Sequence, residues 1–108
     1  MREFIINGKE YKVNFGHNAL VAIEDKLGKS ISEIGDVDFS AKQIQVLFYA
    51  GLLGYQRGMT FERAGDEIDK VEDYSTFVTE LMNEFAESLM KRFNTAAEAT
   101  EENTSKKK

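Results

Sequence analysis

The chain has 108 residues, a net charge of −5 and a pI near 4.9, which argues against ordinary phosphate-backbone binding, where a basic patch releases counterions. It has no cysteine and no proline, so disulfides and thiolate metal sites are excluded and glycine is left to punctuate the helices. One domain is expected at this size, with about 60–65% of the unfolded surface buried and a marginal stability.

The opening MREFIING has no apolar run of signal-peptide length, and no stretch approaches a membrane span. The simple reading is a soluble intracellular protein. In REFIINGKEYKVNF two short apolar-rich runs flank Asn7-Gly8, a dipeptide suited to a two-residue type I′ turn because both central residues need positive φ. This predicts a hairpin with Phe4, Ile6, Tyr11, Val13 and Phe15 on its apolar face and Lys9, Lys12 and Asn14 on the other. A two-stranded hairpin is marginal in water and needs a lid.

From Asn18 the period becomes helical. Ala19, Leu20, Ile23 and Leu27 share a face, Asn18 is placed to cap the start and Gly28 to end it, which predicts a first helix over 18–27. Ser30-Ile31-Ser32-Glu33 has the spelling of a capping box that Gly35 ends after one turn, followed by a loop through Asp36-Val37-Asp38. The second helix has the clearest start, with Ser40 as N-cap, Gln43 as its reciprocal partner and Phe39 placed to staple onto Ile44. It is predicted over 41–56, stopping near Gly58.

Thr60 is placed to cap a third helix over FERAGDEIDKV, with Phe61, Ala64, Ile68 and Val71 inside. The fourth, over 74–94, repeats apolar residues at three and four from Tyr74 to Phe93, with Phe77, Leu81, Phe85 and Leu89 as core; Glu80, Asn83, Glu84, Glu87 and Lys91 lie opposite. The composition then changes to TAAEATEENTSKKK, without a large apolar residue. Burial there cannot offset an ordering entropy of about 1–2 kcal/mol per residue. The expected organisation is a single α+β domain over 1–94, a hairpin packed on about four helices, and a disordered tail over 95–108.

Chemistry leaves few openings. His17 is the only histidine and sits at a helix start, where a local cap or turn contact accounts for it. The acidic run Asp66 to Asp73 lacks the DxDxDG spacing of a calcium loop and reads as a solvated helix face with helix N-terminal acids. Gly51-Leu52-Leu53-Gly54 is no phosphate loop, because bulky residues fill it and no lysine follows. No catalytic residue, metal or cofactor is expected.

What stands out is QIQVLFYAGLLGYQRG, residues 43–58, apolar or glycine at every position from Ile44 to Tyr55 except Gln45. Gly51 and Gly54 clear a strip for close approach of another backbone. One reading makes this the central core helix, flanked by the hairpin and the first and fourth helices. The other makes Phe48, Leu52 and Tyr55, with Tyr49 in reserve, an exposed patch that binds a partner or a second copy.

Taken together, NGKEYKVNFGHNALVAIEDKLGKSISEI, LFYAGLLGYQRG, MTFERAGDEID and FVTELMNEFAESLMKRF resemble, in order and texture over about residues 4–93, the tail assembly chaperones of long-tailed bacteriophages and related prophages. The resemblance implies a mostly helical, non-enzymatic protein of the host cytoplasm that coats the aggregation-prone tape measure protein and helps recruit tail tube subunits. Such proteins are absent from the mature virion, and many are also made in a longer frameshifted form. The partners it implies are the tape measure protein and the tail tube protein; neither nucleic acid nor membrane is expected to bind. A reading from another class is an acidic inhibitor that mimics nucleic acid and blocks a DNA-binding enzyme, drawn from the net charge and the Asp66 to Asp73 run. A small hydrolase would need a buried ionisable pocket.

Overall fold

A computed structural model of the chain describes the backbone of residues 1–31 and 40–104, with side chains as far as Lys91. The elements run β1 (Arg2–Ile6), β2 (Lys9–Val13), α1 (His17–Leu27), α2 (Ala41–Leu52), α3 (Phe61–Ile68) and α4 (Tyr74–Thr104). The fold is α+β, a two-stranded antiparallel hairpin laid on four helices. The turn expected at Ser30 to Glu33, the loop at Asp36 to Asp38 and the Phe39 staple fall wholly or mostly outside the described residues, as do residues 105–108.

Asn7 and Gly8 take φ of 54° and 83°, the left-handed values a type I′ turn requires, and they set the register Ile6↔Lys9 through Arg2↔Val13. Phe4, Ile6, Tyr11, Val13 and Phe15 are all buried by this pairing. Lys9 departs from the expectation. It has the parity of Tyr11, not of Lys12 and Asn14, so its ammonium lies 5.4 Å from the centre of the Tyr11 ring on the inward face.

Helix α1 begins one residue earlier than its sequence suggests. Gly16 is the N-cap and makes no side-chain cap bond, so Asn18 lies inside the first turn. Gly28 ends the helix as expected, with φ of 73° and its N–H donated to the Glu24 carbonyl at 2.8 Å. Ser40 caps α2 by accepting the Gln43 N–H at 3.2 Å, but only half the capping box forms: the buried Gln43 Oε1 has no hydrogen-bond partner among the described residues. Thr60 caps α3 in the same way.

Helix α2 ends at Leu52, four residues before the expected end. The Leu53 N–H tightens back onto the Ala50 carbonyl and Gln56 onto Leu52, so Gly54 belongs to the following turn and a Cβ there would touch nothing within 4 Å. Gly51 is different. The Asn14 N–H donates to the Gly51 carbonyl at 3.0 Å, and a Cβ on Gly51 would collide with Val13 and lie 3.3 Å from the Phe15 ring. The glycine strip is therefore one residue wide, and what approaches it is the hairpin.

Helix α4 continues to Thr104, past the end expected near Asn94. Ala and Glu dominate residues 96–102 and are strong helix formers; extending a nucleated helix needs no new nucleus. The boundary at 95 is thus not a break in secondary structure, although the segment still carries no large apolar residue.

The core centres on α2, which packs against β2, α1, α3 and α4. Ile44, Val46, Leu47, Phe48, Ala50 and Leu52 are essentially inaccessible. Phe48 sits at the hub of an edge-to-face aromatic cluster, with ring centres 6.1 Å from Phe4, 6.0 Å from Tyr11 and 5.1 Å from Phe77. Gln45, the one polar residue of the apolar run, donates its Nε2 hydrogen to the Phe61 carbonyl at 2.8 Å and so pins α3 to α2. Gly65 makes room for it, since a Cβ there would press on the Gln45 amide. Replacing Gly51 by alanine is expected to cost about 1–3 kcal/mol by forcing β2 off α2, read as a lower urea midpoint; an unchanged midpoint would mean that the hairpin yields without penalty.

Candidate functional site

The four residues singled out as a partner surface do not form one. Phe48 and Leu52 are wholly buried, Tyr49 is half-buried and Tyr55 alone is half exposed. The patch reading is corrected for a physical reason. Hydrophobic periodicity marks a helix as apolar on every side, and here every side has a neighbour, because α3 covers the flank that the hairpin, α1 and α4 leave open. Tyr55 stands past the end of α2 with the Lys12 ammonium 6.0 Å from its ring centre. Tyr49 packs edge-on against Phe61 at 6.0 Å, and Lys26 lies over both rings at 5.5 and 4.9 Å. Expected core residues Phe77, Leu81 and Phe85 are buried and Leu89 partly so.

The polar side chains gather in three places. At the first, Tyr11 buries its hydroxyl beside the Glu67 carboxylate. The pair makes no hydrogen bond of standard geometry, yet the two groups act on each other's protons. Burial foremost, then the neighbouring carboxylate, pushes the Tyr11 phenol up to about 12. The phenol directed at it, and then Lys70 at 3.3 Å, hold the Glu67 carboxyl below its usual range despite partial burial.

At the second, Glu84 is buried although the helical pattern placed it on the solvent side. It accepts from the Met1 ammonium at 2.8 Å and lies 3.5 Å from the Arg2 guanidinium. Two cations, the Met1 ammonium just before β1 and the Arg2 guanidinium within it, compensate the carboxylate that α4 carries inward. No helical periodicity could reveal this, because the partners are at the far end of the sequence.

At the third, Asp73 caps α4. One carboxylate oxygen accepts the Thr76 N–H at 3.1 Å and the other its hydroxyl at 2.7 Å, and these bonds lower its proton affinity. Within the acidic run Asp66, Asp69 and Glu72 face solvent, while Glu67 turns inward, which matches a solvated face ending in a helix-capping acid. His17 is exposed as the first residue of α1. Among the described residues no three metal-ligating side chains converge, and no helix is long and apolar enough to cross a membrane.

One concave surface was not anticipated. A groove runs along β1 from Glu3 to Gly8, walled on the far side by the α3–α4 connection and the first turns of α4 through Glu72, Asp73, Thr76 and Glu80. Buried Phe4 and Phe77, 5.2 Å apart, contribute to its lining. The alternation of β1 does mark Glu3 and Ile5 as outward residues, but their neighbours across the groove come from a helix some 70 positions away, which no local pattern reports.

Leu52→Asp is expected to abolish folding, because an unpaired charge would lie in the core, whereas Tyr55→Asp should change stability by less than about 0.5 kcal/mol. Circular dichroism with thermal melting separates the two; a folded Leu52→Asp protein would restore the exposed-patch reading. The Tyr11 phenol supplies a pH signature. Its affinity for a proton is raised by folding, so the stabilisation is complete below pH 10 and is lost as pH rises from 10 to about 12. The loss is worth roughly 2–3 kcal/mol, and Tyr11→Phe should remove this alkaline decline from urea titrations.

Compared with known protein families, characterised proteins and solved structures, the chain finds no match.

Proposed function

We propose that this protein is a non-enzymatic assembly chaperone of the kind its sequence resembles, a tail assembly chaperone of a long-tailed bacteriophage or prophage. In this reading it binds the tape measure protein, keeps that long helical protein soluble and helps recruit tail tube subunits. It works in the host cytoplasm and leaves before the virion is complete.

One observation supports the reading. The stretches that carry the resemblance coincide, in order, with successive elements of the fold: NGKEYKVNF with the turn and β2, HNALVAIEDKL with α1, LFYAGL with the second half of α2, TFERAGDEI with α3 and its cap, and FVTELMNEFAESLMKRF with α4. The likeness thus takes in β2 and all or part of each helix, with β1 and the first half of α2 outside the quoted stretches. The net charge of −5 suits a coat that must keep a filament dispersed.

With Phe48 and Leu52 inside, the contact surface in this reading lies elsewhere. Tyr55 remains available, and on α4 the half-buried Leu89 and exposed Met90 offer apolar area near the point where the helix leaves the core. An amphipathic helix from the partner would lie against such a stripe.

Co-expression with the neighbouring tape measure protein, followed by size-exclusion chromatography with light scattering, tests the proposal. The expected result is a soluble partner carrying many copies of this chain, with the yield of complex falling for the Tyr55→Asp, Met90→Asp double variant. A partner that precipitates while this chain elutes alone would overturn it.

A further inference from the structure

The outer edge of β1 has no strand beside it among the described residues. In a two-residue hairpin the pair next to the turn exchanges both backbone hydrogen bonds, so Ile6↔Lys9, Phe4↔Tyr11 and Arg2↔Val13 are the bonded pairs. The N–H and C=O groups of Glu3 and Ile5 therefore point away from β2. The sheet ends at β1, and no other described residue forms a backbone hydrogen bond with this edge.

Such an edge is normally blunted by a bulge, a proline or a covering element. This one opens into the groove beside α4 and exposes Ile5 at 74% of its surface. The groove is predominantly acidic. Glu3, Glu72, Asp73 and Glu80 line it, against the single cation Lys70, which is already paired with Glu67. None of the ion pairs among the described residues engages Glu3, Glu72 or Glu80.

We propose that the β1 edge is a docking site for an extended, basic segment of a partner protein, which adds as a third strand between β1 and the start of α4. The backbone of Glu3 and Ile5 supplies the main-chain bonds and the groove supplies the choice of side chains. Because side chains alternate along a strand, those facing α4 meet Glu72 and Glu80 and are lysine or arginine. Those on the open face lie beside Ile5 and are apolar. A second copy of this chain is disfavoured as the occupant, since its own edge would bring Glu3 and the acidic wall against the same charges. The site stands independently of the assembly role proposed above.

The test uses the full isotope-labelled chain and two short synthetic peptides, one alternating lysine with valine and one alternating glutamate with valine. The lysine peptide is expected to bind, to slow hydrogen exchange at the Glu3 and Ile5 amides, and to weaken as salt is raised; the glutamate peptide is expected not to bind. Ile5→Pro removes an outward N–H at an edge position that tolerates proline, and should weaken binding by about tenfold or more while leaving the melting temperature nearly unchanged. If that variant fails to fold, the double reversal Glu72→Lys, Glu80→Lys, at one exposed and one half-buried position, decides, with a similar loss expected. The proposal is overturned by equal binding of the two peptides, by protection confined to other residues, by undiminished binding to the folded variants, or by light scattering that shows the free chain as a dimer whose Glu3 and Ile5 amides are already protected from exchange.

Discussion

The close approach of β2 to α2 at Gly51 is the contact on which the other elements depend. Only a residue without a Cβ lets Val13 and Phe15 lie directly on the helix backbone while Asn14 donates to the Gly51 carbonyl. With the hairpin seated there, its inward residues meet Phe48 and Phe77 as an edge-to-face cluster, and α4 closes over the far end through Phe15 and Phe85. A small domain has little apolar area to spare. Placing one helix in contact with every layer is an economical way for it to obtain a core.

Buried polar groups give this apolar core its specificity. Gln45 fixes how α3 crosses α2, and Glu84 fixes where α4 stands relative to β1 through two cations. Neither bond adds much net stability, because each replaces hydration. A core of Leu, Ile, Val and Phe alone tolerates shifted arrangements that would leave these groups unsatisfied, so the cost of losing them disfavours the alternatives. Tyr11 and Gln43 are exceptions, the first with a buried hydroxyl beside a carboxylate and the second with a buried amide oxygen, neither in a well-formed bond.

Much of this architecture is legible in the residues. Asn7-Gly8 specifies the turn and with it the register, Ser40 and Thr60 mark two helix starts, Gly28 marks an end, and the stripe from Phe77 to Phe85 marks the buried side of α4. These features are local, since each depends on backbone geometry within a few residues. What the residues do not disclose is which neighbour covers which face. The apolar run of α2 is equally compatible with a lid from within and a partner from without, and the structure supplies the lid at Phe48 and Leu52. Glu84 fails for the same reason, since its burial depends on Arg2. The groove beside β1 is legible only in half, because Ile5 is marked as outward by its parity while the acidic wall arrives from α4.

The aromatic hub also bears on synthesis. Phe4 is synthesised well before Phe77, the ring it meets in the core. Until then Phe4, Ile6 and Tyr11 can rest only on α2 through Phe48, with the side that Phe77 closes still open to water. The nascent protein thus passes through an interval in which its own N-terminal strand is the exposed apolar segment most in need of shelter.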